Sequence, residues 1–150
     1  MRSIYIPKNV VDDTLATPPV VGKRLLPSFR ALLAPLGLPP GVQGPIEILE
    51  NHEVEKFENQ TEIHKTAADL WIGISGAVTF VTGGEVVEPR ERAGADGSVN
   101  PNEIRGEGIR NGIEHVVGPG DILYIPPGDP HTHFGTGRLF IIKIPVTVPA

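Results

Sequence analysis

Glycine and proline limit this chain more than any other feature: 18 glycines and 16 prolines are spread over 150 residues. Proline fixes φ and has no backbone N–H, so the interior of a long helix rejects it. The first 45 residues hold Pro7, Pro18, Pro19, Pro27, Pro35, Pro39, Pro40 and Pro45. The only helix expected there is a short one over residues 28–33, with Ser28 able to cap it. Residues 1–45 therefore read as a proline-rich arm laid over a body formed by residues 46–150.

A chain so rich in glycine and proline is either a turn-rich β protein or a disordered one. Alternating apolar runs decide for the β protein. From Ile46 onward they cover residues 46–50, 53–57, 62–64, 70–75, 77–82, 85–89, 103–109, 113–117, 122–125, 131–134 and 139–146. Their length and spacing predict an all-β sandwich or barrel. Gly83-Gly84 falls between two runs, the signal of a hairpin. Residues 90–102 contain Gly94, Asp96, Gly97, Ser98 and Pro101 and read as one long loop.

Several function classes fall away. Cysteine is absent, which removes disulfides, thiolate metal sites and cysteine nucleophiles. The net charge is -5 and the basic residues are scattered, so no stripe exists to hold a nucleic-acid backbone. No apolar run is long enough to cross a bilayer and the N-terminus has no apolar signal core, so no membrane partner is expected and a cytoplasmic location is. Asn59-Gln60-Thr61 matches a glycosylation sequon, a pattern short enough to arise by chance. No P-loop, dinucleotide fingerprint, zincin helix or nucleophile elbow is present.

The chemistry concentrates in two segments. Residues 120–131, GDILYIPPGDPH, combine a turn, a four-residue apolar strand, a rigid Pro126-Pro127-Gly128 corner and a histidine where the next strand opens. Such a corner aims one imidazole, because Pro126 and Pro127 fix φ and Gly128 tolerates a left-handed backbone. His131 and His133 share a strand face by alternation. Upstream, Glu62 and His64 share a face, and Asp69 follows five residues later across a short turn. Imidazoles and carboxylates converging from neighbouring strands can hold one divalent ion, and these nitrogen and oxygen donors suit Fe, Mn, Ni, Co or Zn.

These segments resemble the two motifs of the cupin superfamily. The second motif is matched at Gly120, Pro126, Gly128 and His131, with Gly135 where an asparagine often stands. The first is matched in part: His64 holds its second histidine position and Gly76 its closing glycine, while Glu62 stands at the first histidine, Asp69 at the acidic position and Lys56 at the opening glycine. The resemblance implies a single cupin-type double-stranded β-helix, a jelly-roll barrel, and by analogy a homodimer. It also implies a metal site of His64, His131, Asp69 and Glu62, two histidines and two carboxylates in place of the usual three histidines and one glutamate. For Asp69 a second reading is a partner that orients a ligand histidine. For Glu62 the alternatives are a ligand, a general base or a surface carboxylate.

Around this set, His133 reads as a further acid or base, or as a packing histidine. Trp71 shares the face of Asp69 and is expected to wall the pocket. Lys143 interrupts the apolar run LFIIKIP; it either meets an anionic substrate or, the favoured reading, points outward. His52 and His115 carry no motif, and Arg90, Arg92, Arg105 and Arg110 with Glu88, Glu91, Glu103 and Glu107 read as a solvated surface. The functional expectation is a metal-dependent enzyme acting on a small polar or oxygenated molecule. Its chemistry would be isomerase, lyase or cyclase acid–base chemistry, or dioxygenation, with Glu62 or His133 moving the proton. The alternative is a small-molecule sensor or carrier that uses the same pocket without turnover.

Overall fold

The computed structural model describes residues 3–56 and 61–147. The sequon residues Asn59 and Gln60, and Phe57 at the end of the expected strand 53–57, lie outside the described residues. Eleven strands are present among those described, all paired antiparallel. They are β1 (Gly22–Leu25), β2 (Ile46–Val54), β3 (Thr61–His64), β4 (Ala67–Thr82), β5 (Glu85–Val86), β6 (Arg90–Ala93), β7 (Val99–Gly106), β8 (Ile109–Arg110), β9 (Ile113–Val117), β10 (Ile122–Ile125) and β11 (His131–Pro145). The all-β expectation holds.

Two long strands organise the molecule. Residues 70–75 and 77–82 are not two strands but one, and the same is true of 131–134 and 139–146. β4 and β11 pair without a break from His131↔Thr82 to Pro145↔Ala67, apart from one register shift at Arg138/Leu139. Laid flat, this ladder would separate His131 from Lys143, the partner of Asp69, by about 40 Å. Yet His131 Nε2 and Asp69 Oδ2 are 3.4 Å apart. The ribbon therefore curls back on itself into a barrel-like body.

Midway along the ladder, where Gly76 pairs with Gly137, glycines let the strands approach closely. Gly76 has φ +69°, and a Cβ there would collide with the Thr136 carbonyl; one on Gly137 would lie 2.6 Å from the Ser75 carbonyl oxygen. β2 and then β3 line the other edge of β11, and β7 and β6 extend from β3. β9 and β10 pair with β4 only.

Inside the curl sits a core of Trp71, Val78, Phe80, Val117, Ile125, Leu139 and Ile141. A second cluster lies on the outer face, where Leu26, Phe29 and Ile48 pack with Ile6, Val11, Ile74 and Phe140. The N-terminal segment thus covers apolar residues that alternation turns away from the interior. Buried Glu50 fastens it: Arg24 and Arg138 both donate to its carboxylate, and Arg138 also donates to the carbonyls of Leu15 and Thr17.

Four local expectations need correction. A helix not anticipated, α1 (Lys8–Leu15), fits in the proline-free interval after Pro7 and carries a Lys8–Asp12 pair one turn apart. The expected helix is α2 (Pro27–Ala31), opened by Pro27 in its first turn and not capped by Ser28. Gly83 and Gly84, at φ +73° and +72°, turn the chain out of the sheet, so β5 pairs with β8 and makes no hairpin with β4. Residues 90–102 are no loop: β6 and β7 form a hairpin closed by Gly94 N–H to the Ser98 carbonyl and by Asp96 accepting from Ser98. Its strands are polar because both faces of β6 are exposed, which hides the strand period from a reading of apolar alternation. No helix among the described residues is long and apolar enough to cross a membrane.

Candidate metal centre

Glu62 and His64 project from β3, Asp69 from β4 and His131 from β11. Glu62 and His131 are direct cross-strand partners. The Pro126-Pro127-Gly128 corner is itself tied to β3, because the Gly128 N–H, with φ +85°, donates to the His64 carbonyl at 2.8 Å. The corner that aims His131 is therefore anchored on the residue it must meet. The two imidazole rings lie 5.0 Å apart, centre to centre.

Four donors converge. Glu62 Oε2 is 3.5 Å from His64 Nε2 and 3.7 Å from His131 Nε2, and Asp69 Oδ2 is 3.4 Å from each. Ligand atoms of Glu62, His64 and His131 all lie within 4.8 Å of one another. Donors bound at about 2.0–2.2 Å to one ion stand roughly 3.0–3.6 Å apart, so these spacings suit a common ion. His64 Nε2, His131 Nε2 and Asp69 Oδ2 are buried and have no hydrogen-bond partner. Their contacts have ion-pair distances without hydrogen-bond alignment. Three unsatisfied polar atoms buried against each other are costly unless a proton or a cation between them satisfies all three.

The far side of each group fixes its direction. Glu103 accepts from His64 Nδ1 at 2.6 Å, and the Asp129 carbonyl accepts from His131 Nδ1 at 3.3 Å. A carboxylate and a carbonyl only accept, so both rings donate from Nδ1 and turn Nε2 inward. Each carboxylate divides its oxygens in the same way. Asp69 Oδ1 accepts from Lys143 at 2.5 Å, and Glu62 Oε1 accepts from Arg105, while the second oxygen of each faces the imidazoles.

The electrostatics follow from this pairing. Burial alone would lower His64, but Asp69, Glu103 and Glu62 outweigh it and raise the ring to about 10. His131 is raised by Asp69 and Glu62 against the same burial penalty. Burial would raise Asp69 and Glu62; instead the two imidazoles, with Lys143 beside Asp69 and Arg105 beside Glu62, hold both carboxyls well below the usual range. Without an ion, then, protons occupy the space between the donors. An ion would replace them.

His133 is a different histidine. It is buried against Trp71 and Phe80, with ring centres 5.1 and 5.0 Å away, and its Nδ1 meets the Asn51 amide at 2.8 Å. Burial, with the positive charge of Lys23, lowers it to about 3, so it stays neutral and does not donate protons as an imidazolium. Trp71 is core beneath His133 and is absent from the cavity wall.

Lys143 corrects the favoured outward reading. Cross-strand pairing with Asp69 turns it inward, where it lines a cavity of about 700 Å³ with Glu62, His64, Arg92, Glu103 and Arg105. Glu103 and Arg105 are likewise not solvated surface. They alternate on β7 opposite His64 and Glu62, and the turn of β7 toward the site was visible only as ordinary two-residue alternation of charge. Arg90 and Glu107 do form an exposed pair as expected, and His115 lies on an exposed strand face.

A comparison with protein-family models gave no match, and no curated protein proved similar to the chain.

Proposed function

We propose that the chain is a small cupin-type, metal-dependent enzyme acting on a small oxygenated molecule by proton transfer. The observation that supports this most is the convergence of three buried, unpartnered donor atoms from two imidazoles and a carboxylate, each aimed by an acceptor or cation behind it. His64, His131 and Asp69 would hold a divalent ion, with Glu62 beside it. When bound, such an ion supplies Lewis-acid polarisation of a carbonyl or hydroxyl oxygen, or a site for dioxygen.

The two carboxylates divide the work by exposure. Asp69 is buried and gripped by Lys143, which suits a fixed ligand. Glu62 is about 29% exposed at its side chain and lines the cavity, so it is the carboxylate that reaches a substrate proton. When Glu62 takes up that proton, its pairing with Arg105 weakens. The guanidinium is then free to face negative charge developing on the substrate. His133 keeps its neutral ring in the core against Asn51, Trp71 and Phe80.

The deciding experiment is elemental analysis of protein prepared without a metal-carrying tag, together with His64→Ala and His131→Ala. About one ion per wild-type chain, lost in both variants, is expected. Wild type that holds no ion, and that Mn, Fe, Co, Ni and Zn neither bind nor stabilise, overturns the proposal.

A further inference from the structure

The outward face of the sheet is apolar beyond the part that the N-terminal segment covers. Alternation turns Leu70 and Ile72 of β4, Ile142 and Ile144 of β11, and Ile122 and Tyr124 of β10 away from the interior. Pairing registers set Ile122 beside Ile72 and Tyr124 beside Leu70, with Ile142 on the far side of Leu70. The N-terminal segment packs on the neighbouring part of this face, against Ile48, Ile74 and Phe140. Toward β10, which pairs with β4 only, the face is bare. Ile122 is 67% exposed, Tyr124 52% and Ile144 36%, and the other three are half-buried. None of the six is charged. An antiparallel sheet face left to water carries polar residues at such positions, and a contiguous apolar one marks an interaction surface.

Surface area points to the occupant. The chain presents 8706 Å² to solvent, against roughly 7,400 Å² for a folded monomer of 16.1 kDa. The surplus of about 1,300 Å² exceeds the roughly 800 Å² that each partner contributes to a standard interface. Strand β6, polar and exposed along its length, supplies part of that surplus. The apolar face is the part whose removal from water is favourable. An uncharged sheet face offers nothing to an ionic partner, and it packs on another apolar sheet face at about 10 Å. A second copy brings such a face, and a two-fold contact needs only that one patch on each chain. We propose that the outward face around Ile122, Tyr124, Leu70 and Ile72 is the interface at which two copies of the chain pair about a two-fold axis. Asp69 and Lys143 project from the inward side of the same strands, so the paired face is the reverse of the one that carries a metal donor. The proposal does not rest on the metal-centre reading.

Sedimentation velocity of the full chain tests it. Interfaces of this size hold at micromolar or tighter, so wild type is expected as a dimer at about 50 µM. Tyr124→Glu and Ile122→Glu each place a carboxylate in the contact twice, once from each copy, and should weaken pairing by about a hundredfold or more. Both positions are exposed in the single chain, so far-UV circular dichroism should stay that of wild type. Ile113→Glu, at an equally exposed apolar position where β9 meets the other end of β4, should leave pairing unchanged. A monomeric wild type overturns the proposal, and its co-sedimentation with phosphatidylcholine vesicles would assign the face to a lipid surface instead. A dimer that survives both face substitutions, or that only Ile113→Glu dissociates, also overturns it.

Discussion

Changing the pH of an ion-binding titration perturbs the site where its geometry makes the firmest demand. Both Nε2 atoms must be free of protons to bind an ion, yet the carboxylates around them hold His64 up at about 10 and raise His131 as well. At pH 7 His64 sits about three units below its pKa, so roughly one ring in a thousand has its Nε2 open before the ion arrives. Each displaced proton makes the apparent dissociation constant about tenfold weaker per unit fall in pH. The His64 proton alone predicts a loss of about 10²-fold between pH 8 and pH 6, and the raised His131 steepens it further. Competition against a chromophoric chelator at several pH values reads the slope. Calorimetry in buffers of different ionisation enthalpy counts the protons, with at least one expected per ion. Glu103→Gln removes one of the groups that raise His64, so its slope should be shallower. Affinity that stays flat from pH 6 to pH 8, or release of less than one proton, would refute the reasoning.

The same protonation predicts a stability profile for ion-free protein. The His64 contribution is present in full below its unfolded value near 6.5 and fades as the pH rises through about 10. Those of Asp69 and Glu62 are present above their unfolded values and fade on acidification. Thermal melts should therefore show a maximum between these limits, and loading an ion should abolish the alkaline loss. Lys143→Met leaves the buried Asp69 carboxylate without its cation and should cost about 3–5 kcal/mol in urea denaturation, partly restored by an added ion. Unchanged stability would mean that Asp69 does not depend on Lys143. Gly76→Ala places a Cβ against the Thr136 carbonyl at φ +69° and should cost about 2 kcal/mol or more, read by the same denaturation.

The sequence by itself determined the all-β class, the turn residues and the histidines worth watching. Those properties are local: proline and glycine restrict φ wherever they stand, and alternation sets strand faces without reference to a partner. It also singled out Glu62, His64, Asp69 and His131 as candidate donors, through the Pro126-Pro127-Gly128 corner, the β3 spacing and the motif resemblance, with other roles open for Glu62 and Asp69. What it missed was of two kinds. Polar strands such as β6 carry no apolar period, so their hairpin looked like a loop, and α1 hid in a short interval between prolines.

The larger omission was the set of residues behind the ligands. Glu103, Arg105 and Asn51 come from strands far from their partners in sequence, and only pairing registers bring them into contact. Lys143 faces inward for the same reason, since its register opposite Asp69 is fixed by fifteen paired positions and not by its own neighbours. Tertiary structure alone decided that β4 and β11 curl far enough to bring His131 against Asp69. That curl, like the close backbone approach at the paired Gly76 and Gly137, belongs to two strands at once.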